Sequence, residues 1–366
     1  MSRELNVLQV LGRSAGGIAR HVAQVTGALD GDGMHVDVAG PSDLPVRMPK
    51  PVISLDIPDG PLGHSRAIRS LRSYLRQGDY DVVHAHGLRA GIDAALAARP
   101  LGIATLQTVH NLVRPDVSGR ARAALYKWAE PLSVRLSKRT FAVSEDIARH
   151  IRATSPKVAE RVEVLYLGIG EAPRLRKSAT EVRAEAEVEA GARLIVTAAR
   201  LSAQKALPVM LRALAELPGD IVLVVLGQGP DQEDLKTTTL ALGLGQRVRW
   251  LGWRDDIADF VAAADVFCLS SNWEGVPLAA QEAILLGTPV VSTAVGGMRE
   301  LVGDRSSGRL VPKGESKALA EALLEVLDSP ETAKSYAGQA AVDLRSRFST
   351  ERMLARLRDA YEWHAR

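Results

Sequence analysis

Short, nearly continuous runs of valine, isoleucine and leucine alternate with amphipathic helical stretches along this whole chain. Runs that are apolar at every position are typical of parallel strands buried on both faces. We predict thirteen strands, over residues 5–11, 36–39, 52–55, 82–84, 104–109, 140–143, 162–165, 194–198, 221–226, 248–251, 266–269, 289–292 and 308–311. That is too many for one open sheet of common size. The pattern therefore predicts an α/β fold with two doubly wound domains.

The polar segment 174–190 has no strand pattern and separates the two series of strands. We place the linker near 168–175, where glycine and proline interrupt the chain. The predicted domains are residues 1–170 and 171–345. The remaining residues, 346–366, have apolar residues at helical spacing and predict a terminal amphipathic helix.

Composition and charge exclude several classes of protein. Cys268 is the only cysteine among 366 residues, so neither an intrachain disulfide nor a zinc site with several thiolates can form. No apolar run approaches the roughly 18 residues that span a bilayer. The first residues predict a strand instead of a signal peptide, and we expect a cytoplasmic protein. The net charge of +3 is too small for a nucleic-acid binder, although its concentration in the first half suggests an anionic partner there.

Two strand-to-helix turns carry groups that suit phosphate. The turn from Gly12 to Gly17 could bring backbone N–H groups to a phosphate, and a tight turn explains its glycines equally well. Its spacing fits neither the dinucleotide fingerprint nor the lysine-containing phosphate loop. Arg200 and Lys205 follow the strand 194–198, where two cations can converge on a diphosphate.

The segment from Glu274 to Glu282 places two carboxylates around the start of a helix. We expect Pro277 at the first helical position, where its missing N–H costs nothing. Glu282 then lies one to two turns into the helix. Carboxylates at these two places can accept hydrogen bonds from two separate polyols. A glycine pair, Gly296-Gly297, precedes the next helix.

In this order, the motifs resemble those of the retaining GT-B glycosyltransferases numbered family 4. The resembling segments cover nearly the whole chain: 16–21, 81–87, 108–111, 142–145, 199–205, 274–291 and 308–312. The chain departs from the family at the hinge, Leu167-Gly168-Ile169-Gly170, where the usual polar flanks of the glycine are missing. Ala206 also replaces a family glycine after Lys205. The resemblance implies two Rossmann-like domains that face each other across a cleft, with 346–366 packing back on the first.

The resemblance implies a role for each matching residue on the donor side. Gly16 and Gly17 would bring backbone N–H groups near the donor diphosphate. Arg200 and Lys205 would neutralise that diphosphate and the charge that develops on the leaving group. Further donor-binding positions are Gly275, Val276, Pro277, Leu278 and, near the nucleobase, Arg254.

Three further side chains would contact sugars. Glu274 would hydrogen-bond the donor sugar, and Glu282 would bind the ribose of the nucleotide. His110 would lie at the sugar end of the cleft as an acid/base or orienting group, and a satisfied core histidine is the alternative. His84 and His86 could be a metal pair, but no third ligand is evident, and packing at a strand end is the alternative interpretation.

The implied activity is transfer of a hexose, with retained anomeric configuration, from a nucleotide diphosphate sugar to a glycan or lipid-linked acceptor. It would serve cell-envelope or polysaccharide synthesis. We place UDP before GDP as the donor nucleotide and expect no metal and no other cofactor. The alternatives are a nucleotide-sugar epimerase of the same architecture and a non-catalytic relative that binds carbohydrate or membrane.

A basic face is predicted on the helix over residues 63–77. Arg66, Arg69, Arg72 and Arg76 recur there at helical spacing, and a second basic stretch spans 118–139. These cations form either an ordinary solvated face or a patch for anionic lipid headgroups beside a lipid-linked acceptor. The second interpretation predicts a peripheral protein on the inner face of the plasma membrane.

Overall fold

The chain divides into two compact units. The computed structural model describes residues 4–13, 17–44, 46–58, 62–112 and 120–365. Unit 1 is Met1–Gly168 together with Phe348–Arg366, and unit 2 is Ile169–Arg347. The boundaries predicted from the sequence, 170 and 345, lie within two residues of these divisions.

Unit 1 contains a seven-stranded parallel sheet with the order β3-β2-β1-β4-β5-β6-β7. The strands are β1 Leu5–Leu11, β2 Met34–Gly40, β3 Val52–Ser54, β4 Val82–His86, β5 Ala104–Val109, β6 Arg139–Ala142 and β7 Val162–Val164. The helices are α1 Gly17–Leu29, α2 His64–Gln77, α3 Leu88–Ala98, α4 Arg120–Leu136, α5 Glu145–Thr154 and, from the end of the chain, α14 Thr350–His364. Strand order reverses between β1 and β4, and ligands of such sheets bind at the carboxyl ends of the strands at this point.

Unit 2 contains a six-stranded parallel sheet with the order β10-β9-β8-β11-β12-β13. The strands are β8 Arg193–Ala198, β9 Ile221–Leu226, β10 Val248–Gly252, β11 Val266–Leu269, β12 Val290–Thr293 and β13 Arg309–Val311. The helices are α6 Ala179–Glu185, α7 Leu207–Glu216, α8 Gln232–Ala241, α9 Ile257–Ala262, α10 Leu278–Leu285, α11 Met298–Leu301, α12 Ser316–Asp328 and α13 Pro330–Arg347. Here the order reverses between β8 and β11.

All thirteen predicted strands are present, and their ends lie within two residues of the predicted ends. The physical reason is visible in β9, Ile221–Leu226, which is buried at every position. A strand covered on both faces must be apolar throughout, so the sequence marks it directly. The α/β class with two parallel sheets is confirmed.

One helix was not predicted, and one local expectation was wrong. Helix α6, Ala179–Glu185, lies inside the polar segment that has no strand pattern. Its start is marked by a capping box: Ser178 accepts from the N–H of Glu181, whose carboxylate accepts from the N–H of Ser178. Pro277 is the N-cap of α10 in an extended conformation, one position earlier than expected, so the helix begins at Leu278.

Helix α14 completes the core of unit 1. Met353, Leu357 and Tyr361 are buried from it in one cluster with residues of β1, α1 and β6. Tyr361 has no exposed surface, and it hydrogen-bonds Gln9 of the interior strand β1. Gly168, the last residue before unit 2, lies so close to the start of α14 that a Cβ there would be 2.5 Å from the Cα of Thr350. This contact explains why the hinge keeps its glycine.

Candidate active site

Two loops of unit 2 meet at the carboxyl edge of its sheet because β8 and β11 are neighbours. The loop after β11 donates the N–H of Asn272 to the carbonyl of Gln204 at 2.8 Å. Gln204 in turn donates its side-chain amide to the carbonyl of Trp273 at 3.1 Å. These bonds tie together segments that lie 69 residues apart in the chain.

Lys205 and Glu274 form an ion pair between these loops. The Lys205 ammonium donates to Oε1 of Glu274 at 2.6 Å, and the side chains are 17% and 4% exposed. The Ser271 hydroxyl donates to the same oxygen at 2.5 Å. Among the described residues, none donates a hydrogen bond to the other oxygen, Oε2. The carboxylate is thus held at one oxygen and able to accept from a ligand at the other.

The glycine pair Gly296-Gly297 lies against the Glu274 loop. A Cβ at Gly296, which has φ +48°, would be 1.9 Å from the Glu274 carbonyl oxygen. Gly297 donates its N–H to the carbonyl of Gly275 at 2.8 Å. The pair therefore allows a third loop to support the backbone around Glu274, a role that spacing alone did not indicate.

Arg200 and Glu282 lie on either side of the Lys205–Glu274 pair in the sequence, and both are more exposed than Glu274. Arg200 lies exposed in the loop after β8, and it forms no ion pair with any residue that the structure describes. Glu282 lies in the second turn of α10 and is partly exposed. Gly275, Val276 and Pro277 are buried between them.

Arg254 follows β10 at the same edge of the sheet, but its side chain is already bound. It donates to both oxygens of Asp256, at 2.6 and 2.7 Å, and to Glu185 at 2.6 Å. Its guanidinium also lies over the ring of Phe260, 4.5 Å from the centroid. Asp256, hydrogen-bonded by Arg254 and Lys177, has its pKa lowered below the usual range. Any contact of Arg254 with a nucleobase would therefore use its backbone.

Four imidazoles meet at the switch point of unit 1. His84 and His86 lie on β4, His110 follows β5, and His21 lies on α1. Each is at most 6% exposed. Burial lowers the pKa of His21 to about 4 and of His84 to about 3. The pKa of His86 and His110 is also well below 6.5, through burial and the neighbouring imidazoles, so all four are neutral at pH 7.

The proposed metal pair has its ring nitrogens occupied by protein partners. His84 bonds the Tyr361 hydroxyl at 2.6 Å and the Thr108 hydroxyl at 2.8 Å. His86 bonds Gln9 at 2.7 Å and His110 at 3.2 Å. Across the described ranges, no group of three or more histidine, cysteine or acidic side chains is arranged to hold a metal ion. The structure therefore favours the packing interpretation of this pair.

The remaining predicted positions are only partly described. Gly17 is the first residue of α1, whereas Gly16 lies outside the described residues. Arg66, Arg69 and Arg76 are exposed on α2. Arg72 was wrongly included in this free basic face: it is half-buried and donates to the carbonyl of Leu96 on α3 at 2.8 Å.

Part of the second basic stretch also lies outside the described residues. The stretch predicted over 118–139 is described from 120 onward. On α4, Trp128 is 82% exposed and Leu132 is 47% exposed. With exposed Arg135 they follow one another at helical spacing along one face. None of the described helices combines the length and the apolar character needed to cross a bilayer.

Known proteins match the chain along most of its length. The family model described as Glycosyltransferase Family 4 matches residues 15–171, and that described as Glycosyl transferases group 1 matches residues 178–342. The chain is 27% identical to the UDP-Gal:alpha-D-GlcNAc-diphosphoundecaprenol alpha-1,3-galactosyltransferase of Escherichia coli over 72% of this chain and 70% of that protein. It is 28% identical to the phosphatidyl-myo-inositol mannosyltransferase of Mycobacterium leprae over 90% and 88%.

Solved structures share the fold. Anabaena HepE in complex with UDP and glucose superposes with a TM-score of 0.83 at 21% identity, over 98% of this chain and 99% of that one. Sucrose-phosphate synthase from Thermosynechococcus elongatus gives 0.84 at 22% identity, over 98% of both chains. The two parallel sheets and these matches define a GT-B enzyme. The chain belongs to the family 4 type of GT-B glycosyltransferases, and it is a glycosyltransferase.

Ala206 has a strained backbone at the position where the family motif that it resembles has glycine. Its backbone is left-handed, with φ +46° and ψ +40°, just before α7. This conformation costs an L-residue about 1–2 kcal/mol, and glycine avoids that cost. Glycine also makes the unfolded chain more flexible, which offsets part of the gain in stability. We expect Ala206→Gly to raise the unfolding free energy of unit 2 by about 0.5 kcal/mol.

Urea unfolding of both proteins measures this change. The control is Ala215→Gly, at an exposed position inside α7, which should lower the unfolding free energy by about 0.5–1 kcal/mol. Equal losses from the two glycine substitutions would show that the left-handed backbone of Ala206 carries no strain.

Proposed function

We propose that this glycosyltransferase moves a hexose from a nucleotide diphosphate sugar, UDP before GDP, to a glycan or lipid-linked acceptor and retains the anomeric configuration. The observation that carries the proposal is the Lys205–Glu274 pair, which Ser271 completes. One oxygen of Glu274 is saturated by protein donors, which leaves Oε2 for the hydroxyls of a sugar. The names of the relatives support it: they include a galactosyltransferase with a UDP-Gal donor and a mannosyltransferase with a lipid acceptor.

The roles follow from charge and exposure. The exposed guanidinium of Arg200 and the ammonium of Lys205 counter the diphosphate, whose negative charge grows as the bond from its oxygen to the anomeric carbon breaks. Glu274 orients the hexose through its hydroxyls, and Glu282 binds the ribose. The acceptor oxygen forms its bond on the face that the diphosphate leaves, and the departing phosphate oxygen takes the acceptor proton. His110 acts on the sugars as an orienting or acid/base group.

Donor binding to the whole protein tests the proposal. Calorimetric titrations with UDP, GDP and ADP and their hexose conjugates should show tightest binding for a UDP compound. Arg200→Ala should weaken binding and lower transfer at least tenfold, about 1.4 kcal/mol. Arg212→Ala, an exposed arginine on α7, is the matched control and should change neither. Conversion of the donor to its epimer without an acceptor would replace transfer by epimerisation as the function.

We also propose that Arg200 and Lys205 neutralise the diphosphate, as a divalent metal does in other transferases. The transfer rate should then be the same before and after incubation with excess EDTA. Loss of the transfer rate with EDTA and recovery with manganese would contradict the metal-free proposal.

A membrane surface is the proposed location of a lipid-linked acceptor. Arg66, Arg69 and Arg76 on α2 supply cations, each worth about 1 kcal/mol near an anionic surface. The exposed Trp128 and Leu132 on α4 supply apolar groups that suit the interface. We expect co-sedimentation with vesicles of anionic phosphatidylglycerol but not of neutral phosphatidylcholine. Binding should fall steeply as salt approaches 0.1 M, where charges are screened beyond about 10 Å.

The triple variant Arg66→Gln, Arg69→Gln and Arg76→Gln should lose vesicle binding and remain folded, because these side chains are exposed. The matched control replaces three exposed cations of unit 2 by glutamine: Arg212, Lys334 and Arg345. Equal loss in both variants, or equal binding to both lipids, would return the face on α2 to an ordinary solvated surface.

A further inference from the structure

A chain of buried hydrogen bonds connects the last helix of the protein to His110. The Gln9 amide nitrogen on β1 donates to the Tyr361 hydroxyl on α14 at 3.0 Å. The Gln9 amide oxygen lies 2.7 Å from Nε2 of His86. Nδ1 of His86 lies 3.2 Å from Nε2 of His110. All four side chains are at most 6% exposed, so water does not substitute for these partners.

The chemistry of the groups fixes which atom donates and which accepts in each of these hydrogen bonds. An amide oxygen can only accept, so Nε2 of His86 must carry the hydrogen of that bond. His86 is neutral in its buried site, and its Nδ1 is therefore an acceptor. Nε2 of His110 must then donate to it. His110 is left with its hydrogen on Nε2 and a lone pair on Nδ1.

The far end of the hydrogen-bond chain follows the same direction. The Tyr361 hydroxyl accepts from Gln9, so its own hydrogen is directed to Nδ1 of His84 at 2.6 Å. Nε2 of His84 then donates to the Thr108 hydroxyl at 2.8 Å. Reversing the tautomer of His110 would require the Gln9 amide to turn over and the hydrogens of Tyr361 and His84 to reverse with it, so the tautomers of these buried groups are coupled.

Packing also confines the His110 ring. The His21 ring stands edge-on to it at a centroid distance of 5.6 Å, and His86 lies at 5.5 Å. No described residue hydrogen-bonds Nδ1 of His110. Of the two ring nitrogens of His110, the one without a hydrogen-bond partner among the described residues is thus the one that bears the lone pair.

We propose that Gln9, His86 and Tyr361 are positioning residues that fix His110 in its Nε2–H tautomer, so that Nδ1 accepts a hydrogen bond from a hydroxyl of the sugar donor or acceptor. The proposal rests on the proposed function of His110 at the sugars. It assigns His110 a ligand group of one kind, a hydroxyl that donates, and excludes a phosphate or carboxylate oxygen at Nδ1. The proposal also gives α14 a part in the reaction, although Tyr361 on this helix is 352 residues from Gln9 in the sequence.

The test measures the tautomer and the transfer rate separately. The ¹⁵N chemical shifts of histidine-labelled full-length protein distinguish a protonated from an unprotonated ring nitrogen, and the His110 signals are assigned by their loss in His110→Ala. We expect a protonated Nε2 and an unprotonated Nδ1 in the native protein. Gln9→Leu and the milder Tyr361→Phe should give a mixture of tautomers. The turnover number should fall about tenfold or more while the Kd for the donor nucleotide stays the same.

Gln107→Leu is the matched control, because Gln107 is an equally buried glutamine on β5, two strands away from Gln9, and bonds Thr140 and Ser133 instead. It should keep the His110 tautomer and the turnover number of the native protein. A protonated Nδ1 in the native protein, or an unchanged tautomer in both Gln9→Leu and Tyr361→Phe, would overturn the proposal. Absence of transfer from every donor would instead refute the proposed function, since the NMR signals can be read without activity.

Discussion

The unfolding free energy of unit 1 should fall by about 6–8 kcal/mol between pH 7 and pH 5 if its four buried histidines stay neutral in the native state. In the folded protein the pKa of each of His21, His84, His86 and His110 lies well below 6.5. In the unfolded chain each titrates near 6.5. Below that pH the unfolded state binds more protons, so stability present above pH 6.5 is lost as the pH falls toward 4. Each histidine contributes about 1.4 kcal/mol per pH unit on this limb.

Hydrogen exchange measured by mass spectrometry reports the two units separately, once corrected for the pH dependence of intrinsic exchange. We expect peptides of unit 1 to lose protection first on acidification. His21→Met should reduce the slope of unfolding free energy against pH by the contribution of one histidine. The substitution breaks no hydrogen bond to a described residue, because neither ring nitrogen of His21 has a partner among them. His35→Gln, whose imidazole is 47% exposed, is the control. Equal slopes in His21→Met and the native protein would contradict the neutral state of this cluster.

Lys205→Met should be the most damaging single change in unit 2. It leaves the carboxylate of Glu274, 4% exposed, without its counter-charge, and among the described residues only the Ser271 hydroxyl then donates to it. Loss of one member of a buried pair costs about 3–5 kcal/mol, and the partial exposure of Lys205 reduces this to about 2–3. Transfer should fall at least about a hundredfold, because the diphosphate also loses a cation. Chemical denaturation and steady-state kinetics measure the two effects.

The double variant Lys205→Met with Glu274→Gln separates stability from chemistry. It removes both charges, so we expect most of the lost stability to return while transfer stays low. The matched control is Lys236→Met on α8, whose ion pair with Glu233 is exposed and should be worth less than about 1 kcal/mol. Recovery of transfer in the double variant would make the Lys205–Glu274 pair purely structural.

Much of this architecture could be predicted because the strands of parallel sheets are buried on both faces and therefore appear in the sequence as continuous apolar runs. Strands such as β9 are apolar at every position, and the motif residues at strand ends must gather at one edge of a parallel sheet. Helix α6 was missed since its pattern is short, although the spacing of Ser178 and Glu181 marks its start. A search for capping boxes in polar segments would have found it.

The contacts within the site were harder to predict because they join distant parts of the chain. Lys205 and Glu274 were assigned to separate ligand groups, and their mutual ion pair depends on the adjacency of β8 and β11. Ser271 carries no motif, and Gln9 and Tyr361 lie 352 residues apart. The sequence predicts that Arg254 is near the nucleobase, but in the fold its side chain donates to Glu185. No periodicity in a single sequence contains such pairings.

The return of α14 to unit 1 has a consequence for biosynthesis. The strands of unit 1 leave the ribosome first, but the helix that buries Val7 and Val25 from one side is translated only after the whole of unit 2, residues 169–347. At about 5–20 residues per second, this interval lasts on the order of ten to forty seconds. Unit 2 can complete its core during that time, whereas unit 1 waits with an uncovered apolar surface. Nascent and prematurely terminated chains should therefore be recognised by chaperones through the unit that was made first.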